Sequence, residues 1–424
     1  MSKVSVLAGL QWGDEGKGKV VDFLSPEYCY VARYQGGANA GHTIVFNNKK
    51  FVLHLIPSGI FTEGNICVIG NGVVLDFSAL LEEIAMVEAE GVSIDGRLFI
   101  SRDLHIILPY HKIIDAINES GDVKIGTTKK GIGPSYYDKY ARRGIKLQDF
   151  ETPAALKEKI KSNLEYFKRI FPDSAEIKEM NADEVFTDAV KCYDKVKKYV
   201  TDGYEILNDA IDAGKNILLE GAQGALLDVD FGTYPFVTSS HPTSGGASTG
   251  TGIPPNKINS VIGIFKAYTT RVGEGPFITE LFDDTGKLIA KTGNEFGATT
   301  GRQRRCGWLD LVALKYSCRI NGVTELVITK SDVLDSFDEI KACVTYKYNG
   351  RELKGFTTNC EILKDVEPVY KSFKGWKSEL NKAKSFSELP EEYRKYIKFI
   401  EDFVKCSVKI ISTGPSREQI IKVE

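Results

Sequence analysis

Histidine is scarce in this 424-residue chain, the cysteines show no paired spacing, and no apolar stretch is long. No two of the five histidines sit at zinc-binding spacing, which argues against a structural zinc. The eight cysteines are scattered with no C-x-x-C, the pattern of a reduced, cytoplasmic protein with buried thiols. No apolar run approaches the ~20 residues that cross a membrane. The first residues carry no basic lead, long apolar core or small-residue cleavage site, so no secretory signal is expected. A formal net charge of −2 removes any global pull toward nucleic acid or an anionic membrane. Repeats, low-complexity segments and an obvious linker are missing too, so one large domain over residues 1–424 is the expected organisation.

What the chain does have is the stretch Gly9-Leu-Gln-Trp-Gly-Asp-Glu-Gly-Lys-Gly-Lys19. The apolar run 4–10 before it reads as a buried strand, and residues 20–24 after it as the first turns of a helix. Strand, glycine-rich loop and helix together aim backbone N–H groups and a positive helix end at a phosphate. Gly13, Gly16 and Gly18 permit close approach, and Lys17 and Lys19 add positive charge. Asp14 and Glu15 do not suit a loop built only for anions, and point to a metal ligand, a base, or both. The match to G-x-x-x-x-G-K-[ST] is imperfect, with Gln11 at the first glycine and Gly18 after the lysine. The usual hydroxyl ligand of Mg²⁺ is therefore missing, and Asp14 can replace it.

Short apolar strands alternate with helices elsewhere. Strands are expected at 28–34, 66–70, 98–101, 216–220, 260–270, 325–329 and 407–412, a hairpin around Asn47-Asn48, and a strand pair within 340–348. Helices are expected at 76–90, 109–119, 309–320 and 389–404, with three helical patterns in an insertion at roughly 150–215. This is the signature of an α/β fold: a large, mostly parallel central sheet with helices on both faces and a helical insertion. Several strands end in polar, glycine-rich loops, where open α/β sheets bind their ligands.

Thr329-Lys-Ser-Asp332 follows a strand directly, the [NT]-K-x-D arrangement that reads guanine. An ionised carboxylate accepts from N1–H and the exocyclic amine of guanine together, whereas adenine leaves it unpaired. Ser412-Thr-Gly-Pro415 also follows a strand and can close the base pocket with backbone N–H groups, or be a plain turn. In Asn39-Ala-Gly-His-Thr43 the glycine beside His42 leaves the ring little to pack on, which favours a polar role at a transferring phosphoryl group. Gly297-Ala-Thr-Thr-Gly-Arg-Gln-Arg-Arg305 offers arginine forks for carboxylate or phosphate, without the interleaved aromatics of a nucleic-acid surface. The loop 122–134, Ala141-Arg-Arg-Gly144, Glu220-Gly-Ala-Gln-Gly224 and Phe236-Val-Thr-Ser-Ser240 are individually weaker signals, with Gln223 and Thr238 as candidate hydrogen-bonding groups.

Taken together these motifs, from residue 4 to the 412–415 turn, closely resemble the adenylosuccinate synthetase family. The resemblance implies a homodimer related to phosphate-loop GTPases, without nucleic-acid or membrane partners. It also implies that IMP, L-aspartate and GTP give adenylosuccinate, GDP and phosphate with Mg²⁺, by way of 6-phosphoryl-IMP. By the same resemblance Asp14 is the base and a Mg²⁺ ligand, the Gly41 carbonyl is the second protein ligand, and His42 is the acid, with Lys17 and Gln223 also catalytic. IMP falls to Asp14, Glu15, Gly16, Lys17, Asn39, Ala40, Gly41, His42, Thr128, Gln223, Thr238 and Arg302, with Arg142 reaching the other subunit's IMP phosphate. Aspartate falls to Ala298, Thr299, Thr300, Gly301, Arg302 and Arg304. GTP falls to Gly13 through Lys19 (with Gly18), Gly41, His42, Thr43, Arg304, Lys330, Ser331, Asp332, Ser412, Thr413 and Gly414. Gln303 and Lys129-Lys130 depart from the common pattern, which is arginine at the first position and Gly-Arg at the second. A regulatory GTPase would share the phosphate loop and residues 329–332 but has no need of Asp14, His42 and the arginine loop. A kinase stopping after phosphoryl transfer would form no C–N bond.

Overall fold

A strand buried along its whole length, β1 (Val4–Gly9), sits near the middle of a sheet of ten strands in the computed structural model of the chain. The structure describes residues 2–46, 49–121, 124–296 and 303–423. The other strands of the sheet are β2 (Tyr30–Arg33), β3 (Ile66–Ile69), β4 (Leu98–Ser101), β5 (Val200–Thr201), β6 (Ile217–Glu220), β7 (Ser260–Lys266), β8 (Glu325–Thr329), β9 (Val408–Ser412) and β10 (Ile420–Lys422). Their order is β10-β9-β8-β7-β1-β6-β2-β3-β4-β5, and every pairing is parallel except β9 with β10. Apolar runs such as Val-Ser-Val-Leu-Ala-Gly in β1 suit a strand covered on both faces.

Alternate residues of these strands feed different cores. Val4, Val6 and Leu219 pack with Leu207, Ile211 and Ala247, from helices Gly203–Asp212 and Ser244–Thr251 on one face. Leu7, Leu218 and Ile262 pack with Val20, Val21 and Leu24 of helix α1 (Lys17–Leu24) on the other. The expected α/β sheet with helices on both faces is therefore present. The expected insertion folds as helices Pro153–Ile170, Ala175–Glu179, Ala182–Val196 and Gly203–Asp212. Its side chains Leu156, Ile160, Leu164 and Phe167 share a core with Ile69, Leu98 and Ile100 at the sheet's edge. The insertion also supplies β5, an edge strand that the sequence reading did not contain.

Other boundaries shift for local reasons. The expected strand at 260–270 breaks after Lys266, and Thr269–Arg271 leaves the sheet to pair with Arg305–Gly307. The 340–348 segment is one long strand, Glu339–Tyr348, that pairs with Glu367–Lys374 rather than with itself. The loop expected to run to Pro134 ends sooner, because helix Ile132–Tyr140 starts after Gly131 (φ 76°). Strands His42–Phe46 and Lys49–Leu53 pair antiparallel as expected, while the Asn47-Asn48 turn lies outside the described residues.

Helix Ser244–Thr251 lies so close to the end of β2 that a Cβ on Gly250 would sit 1.9 Å from the Tyr34 carbonyl oxygen, whereas one on Gly245 would meet nothing within 4 Å. Gly250→Ala is therefore expected to lower urea-unfolding stability by about 1–3 kcal/mol. Gly245→Ala, on the exposed side of the same helix, should leave it unchanged or raise it by up to about 1 kcal/mol.

Candidate active site

The loop at residues 10–16 leaves β1 and enters α1 through left-handed backbone at Gly13 (φ 88°), Asp14 (φ 59°) and Gly16 (φ 84°). Gly16 immediately precedes α1, so the loop N–H groups and the positive end of the helix share one space. The two carboxylates of the loop separate in role. Glu15 is fully buried and folds the loop on itself: Oε1 accepts from the backbone N of Gln11 (3.1 Å) and Gly13 (2.9 Å), and Oε2 from Lys17 Nζ (2.5 Å). Its side chain is thereby committed, which leaves its backbone for a ligand. Lys17 Nζ also donates to the Gln223 carbonyl at 2.5 Å. Asp14 keeps its carboxylate at the rim, 34% exposed, where Oδ2 accepts from Arg304 Nε at 2.7 Å. A hard oxygen donor at the mouth of a phosphate loop, not consumed by the loop itself, fits Mg²⁺.

His42 reaches this loop because a glycine lets it. A Cβ on Gly18 would lie 2.9 Å from the Thr43 carbonyl oxygen and 3.0 Å from His42 Cβ, so strand His42–Phe46 rests directly on the start of α1. His42 Nδ1 is hydrogen-bonded to Glu220 Oε1 at the end of β6. Ser58 holds the same carboxylate through its N–H (2.8 Å, to Oε2) and its hydroxyl (2.6 Å, to Oε1). Burial works against the charge on Glu220, but His42, the nearby Arg33 charge and the Ser58 hydrogen bond together outweigh it and keep the carboxyl below its ordinary pKa. An ionised carboxylate only accepts, so the Nδ1 of His42 carries the proton. Burial pushes the His42 pKa down, and Glu220 offsets part of this, so the free protein holds a neutral imidazole with a lone pair on Nε2. That Nε2 is buried without a hydrogen-bond partner among the described residues, a polar atom left for a ligand to satisfy.

Beside these groups lies a cavity of about 620 Å³. Asn39, Thr128, Gln223 and Thr238, all expected from the sequence, line it together. Gln223 has left-handed backbone (φ 53°), donates to Asn39 Oδ1 (3.2 Å) and accepts from Gln35 Nε2 (3.0 Å), so its amide orientation is fixed. Arg271 also lines the cavity, held by the carbonyls of Pro276 (2.7 Å) and Phe236 (3.1 Å). Sequence reading missed it because it sits in an unremarked Thr-Thr-Arg run. Arg142 is exposed, has left-handed backbone (φ 62°) and does not line this cavity.

On the other side of the phosphate loop, Thr329 Oγ1 at the end of β8 donates to the Glu15 carbonyl (2.7 Å) and ties the 329–332 motif to the loop. Lys330 has left-handed backbone (φ 59°), and its Nζ donates to the Gly293 carbonyl (2.6 Å). Asp332 is half-buried; burial raises its pKa, against the pull of Lys330 and Lys19. The Ser331 hydroxyl is bonded to Tyr393 (2.6 Å) in the core, so only its backbone remains available. Lys19 Nζ donates to Ser412 Oγ (2.8 Å) and to the carbonyls of Gly414 (2.6 Å) and Gln419 (3.1 Å), and burial lowers its pKa to about 8. Thus α1 carries one lysine toward the loop's interior and another that fastens the 412–414 turn. Ala298, Thr299, Thr300, Gly301 and Arg302 lie outside the described residues. Glu220 and Glu295, which anchor His42 and Arg304, had no assigned role in the sequence reading. A glutamate closing the buried run Ile217–Glu220 was the available signal for the first.

A family model described as adenylosuccinate synthetase matches residues 6–421. An adenylosuccinate synthetase of Pelodictyon phaeoclathratiforme is 56% identical over 420 residues, covering 98% of this chain and 96% of its own. One from Thermodesulfovibrio yellowstonii is 52% identical over 416 residues, covering 98% of each. Among solved structures, the fully ligated adenylosuccinate synthetase of Plasmodium falciparum superposes with a TM-score of 0.94 at 40% identity, covering 100% of both chains. A cyanophage S-2L succinoaminodeoxyadenylate synthetase, bound to dGMP and dATP, matches at TM-score 0.62 and 18% identity over 100% of this chain and 95% of its own, a likeness of fold.

The His42–Glu220 pair yields a direct test. Glu220→Gln keeps the shape but removes the charge that fixes the imidazole proton, and should cut GTP turnover roughly 10²-fold or more with the fold intact. Steady-state rates alongside far-UV circular dichroism check this, and near-wild-type turnover would contradict it.

Proposed function

The chain belongs to the adenylosuccinate synthetase family, and from that premise we propose how its residues carry out the family's reaction. It is a GTP-dependent ligase that joins L-aspartate to IMP, giving adenylosuccinate, GDP and phosphate in AMP biosynthesis, with Mg²⁺. In our reading the cavity lined by Asn39, Thr128, Gln223 and Thr238 takes IMP, the loop 13–19 takes the GTP phosphates, and Lys330, Asp332 and the 412–414 turn take guanine. Arg304 and the 298–302 stretch take the aspartate carboxylates. Asp14 and the Gly41 carbonyl would hold Mg²⁺, which neutralises charge on the transferring phosphoryl group when bound.

The difficulty of the reaction is that an amine cannot expel the C6 oxygen of IMP unaided. Asp14 takes the N1 proton of IMP, so the O6 oxygen becomes the nucleophile and attacks the γ-phosphorus of GTP while the bond to GDP breaks. Negative charge arriving beside the buried Nε2 of His42 raises the pKa of that ring, reversing the effect of burial in the free protein. Protonated there, His42 donates to the oxygen being phosphorylated and later to the departing phosphate. The aspartate amine then attacks C6, losing a proton, and O6 leaves with the phosphate. The single observation that carries this reading is the His42 Nε2, unpartnered among the described residues while Glu220 holds the ring's other nitrogen.

We also propose one domain over residues 1–424, a homodimer in which Arg142 reaches the partner's IMP phosphate, and a cytoplasmic location. The exposure of Arg142 and its separation from its own cavity support the second of these. No helix among the described residues is long and apolar enough to cross a membrane.

The test is a product assay with IMP, aspartate, GTP and Mg²⁺, omitting each in turn. Adenylosuccinate should form only in the complete mixture, and GTP loss should require IMP. Turnover of GTP with water alone would favour a regulatory GTPase, and phosphoryl transfer without C–N bond formation a kinase.

A further inference from the structure

One buried carboxylate outside the machinery just described gathers cations from three elements. Glu295 is fully buried and stands just before the 297–302 stretch. Lys266 Nζ, at the end of β7, donates to both of its oxygens (3.0 and 3.1 Å), and Lys266 is itself fully buried. Arg304 donates from a terminal guanidinium nitrogen to Oε2 at 2.7 Å, the Tyr268 hydroxyl donates to Oε1, and Lys330 Nζ lies 3.9 Å from Oε1. Burial opposes a charge on Glu295, but Lys266, Lys330 and Arg304 together hold its pKa down to about 2.

The consequence is geometric. Arg304 is fixed at two points, to Glu295 and through Nε to Asp14 (2.7 Å), so the plane of its guanidinium is set. Lys330 is fixed by the same short segment, since its Nζ donates to the Gly293 carbonyl (2.6 Å) two residues before Glu295. Gly293 in turn packs so tightly that a Cβ there would lie 2.5 Å from the Tyr268 hydroxyl oxygen. Glu295 faces three cations at once, and two of them, Arg304 and Lys330, are the ones assigned above to the anionic amino acid and the nucleotide.

We propose that Glu295 is a positioning residue that aims Arg304 and Lys330 together, coupling capture of the amino acid carboxylates to recognition of the guanine nucleotide. This rests on the assignment of Arg304 and Lys330 to those two ligands made above. It touches neither substrate in this assignment, and neither Glu295 nor Arg304 nor Lys330 lines the cavity assigned to IMP, so its effect is selective.

The experiment measures KM for each substrate separately in Glu295→Gln and in Tyr268→Phe, which keeps the ring and removes one hydrogen bond to Glu295. In Glu295→Gln, KM for GTP and for aspartate should both rise about tenfold or more, the loss of a charge-assisted hydrogen bond, while KM for IMP stays within about twofold. Tyr268→Phe should show the same pattern at smaller size, and it decides the matter if Glu295→Gln does not fold. Unchanged KM values, an equal rise for all three substrates, or a fall in kcat alone would each overturn the proposal. Wild-type protein that consumed GTP without IMP or aspartate would overturn both this proposal and the assignment beneath it.

Discussion

The contact between Gly18 and strand His42–Phe46 is the constraint on which the rest of the site depends. With 2.9 Å between a hypothetical Cβ and the Thr43 carbonyl, no other residue fits there without moving the strand. The approach puts an imidazole at the end of α1 where backbone N–H groups and the helix dipole favour an anion. The parallel sheet then supplies the partner that orients it. Glu220 sits in register with Leu7 of β1 on one side and Arg33 of β2 on the other, so the carboxylate that fixes His42 is delivered beside the strand that launches the phosphate loop.

A common device recurs around this contact. Three fully buried glutamates grip cationic or titratable side chains of the site: Glu15 holds Lys17, Glu220 holds His42, and Glu295 holds Arg304 together with Lys266. A buried charge is costly unless paired and hydrogen-bonded, and each of these has both kinds of support. Each removes rotational freedom from a group that the proposed mechanism needs in one orientation. Asp14 differs, because its carboxylate stays at the rim and shares Arg304 with Glu295. That contrast separates the acid group to which the proposed mechanism gives the chemistry from those that hold others in place.

The sequence made the central strands and the phosphate loop legible because their signals are local. Leu98–Ser101 and Glu325–Thr329 were read to the residue, and the loops at 10–16 and 329–332 were read from their spacing. Helix Ser244–Thr251 was invisible because its glycines, serines and threonines show no apolar period. Helix Ile132–Tyr140 was hidden by a Gly-Ile-Gly-Pro start that reads as loop. The short edge strands β5 and β10 gain their identity from the neighbour they pair with, not from their own residues. The anchoring glutamates escaped for the same reason: His42 and Glu220 are 178 residues apart in the chain. Chemistry-bearing side chains could be found by motif, whereas the groups that orient them are defined by the folded sheet.

At the centre of this account, Asp14 and His42 make the C6 oxygen of IMP a nucleophile and then a leaving group carried off on phosphorus. IMP labelled with ¹⁸O at C6, turned over with GTP, aspartate and Mg²⁺, tests this directly by mass spectrometry of the products. The account predicts that the label appears in inorganic phosphate. Label released into water, with unlabelled phosphate, would contradict it.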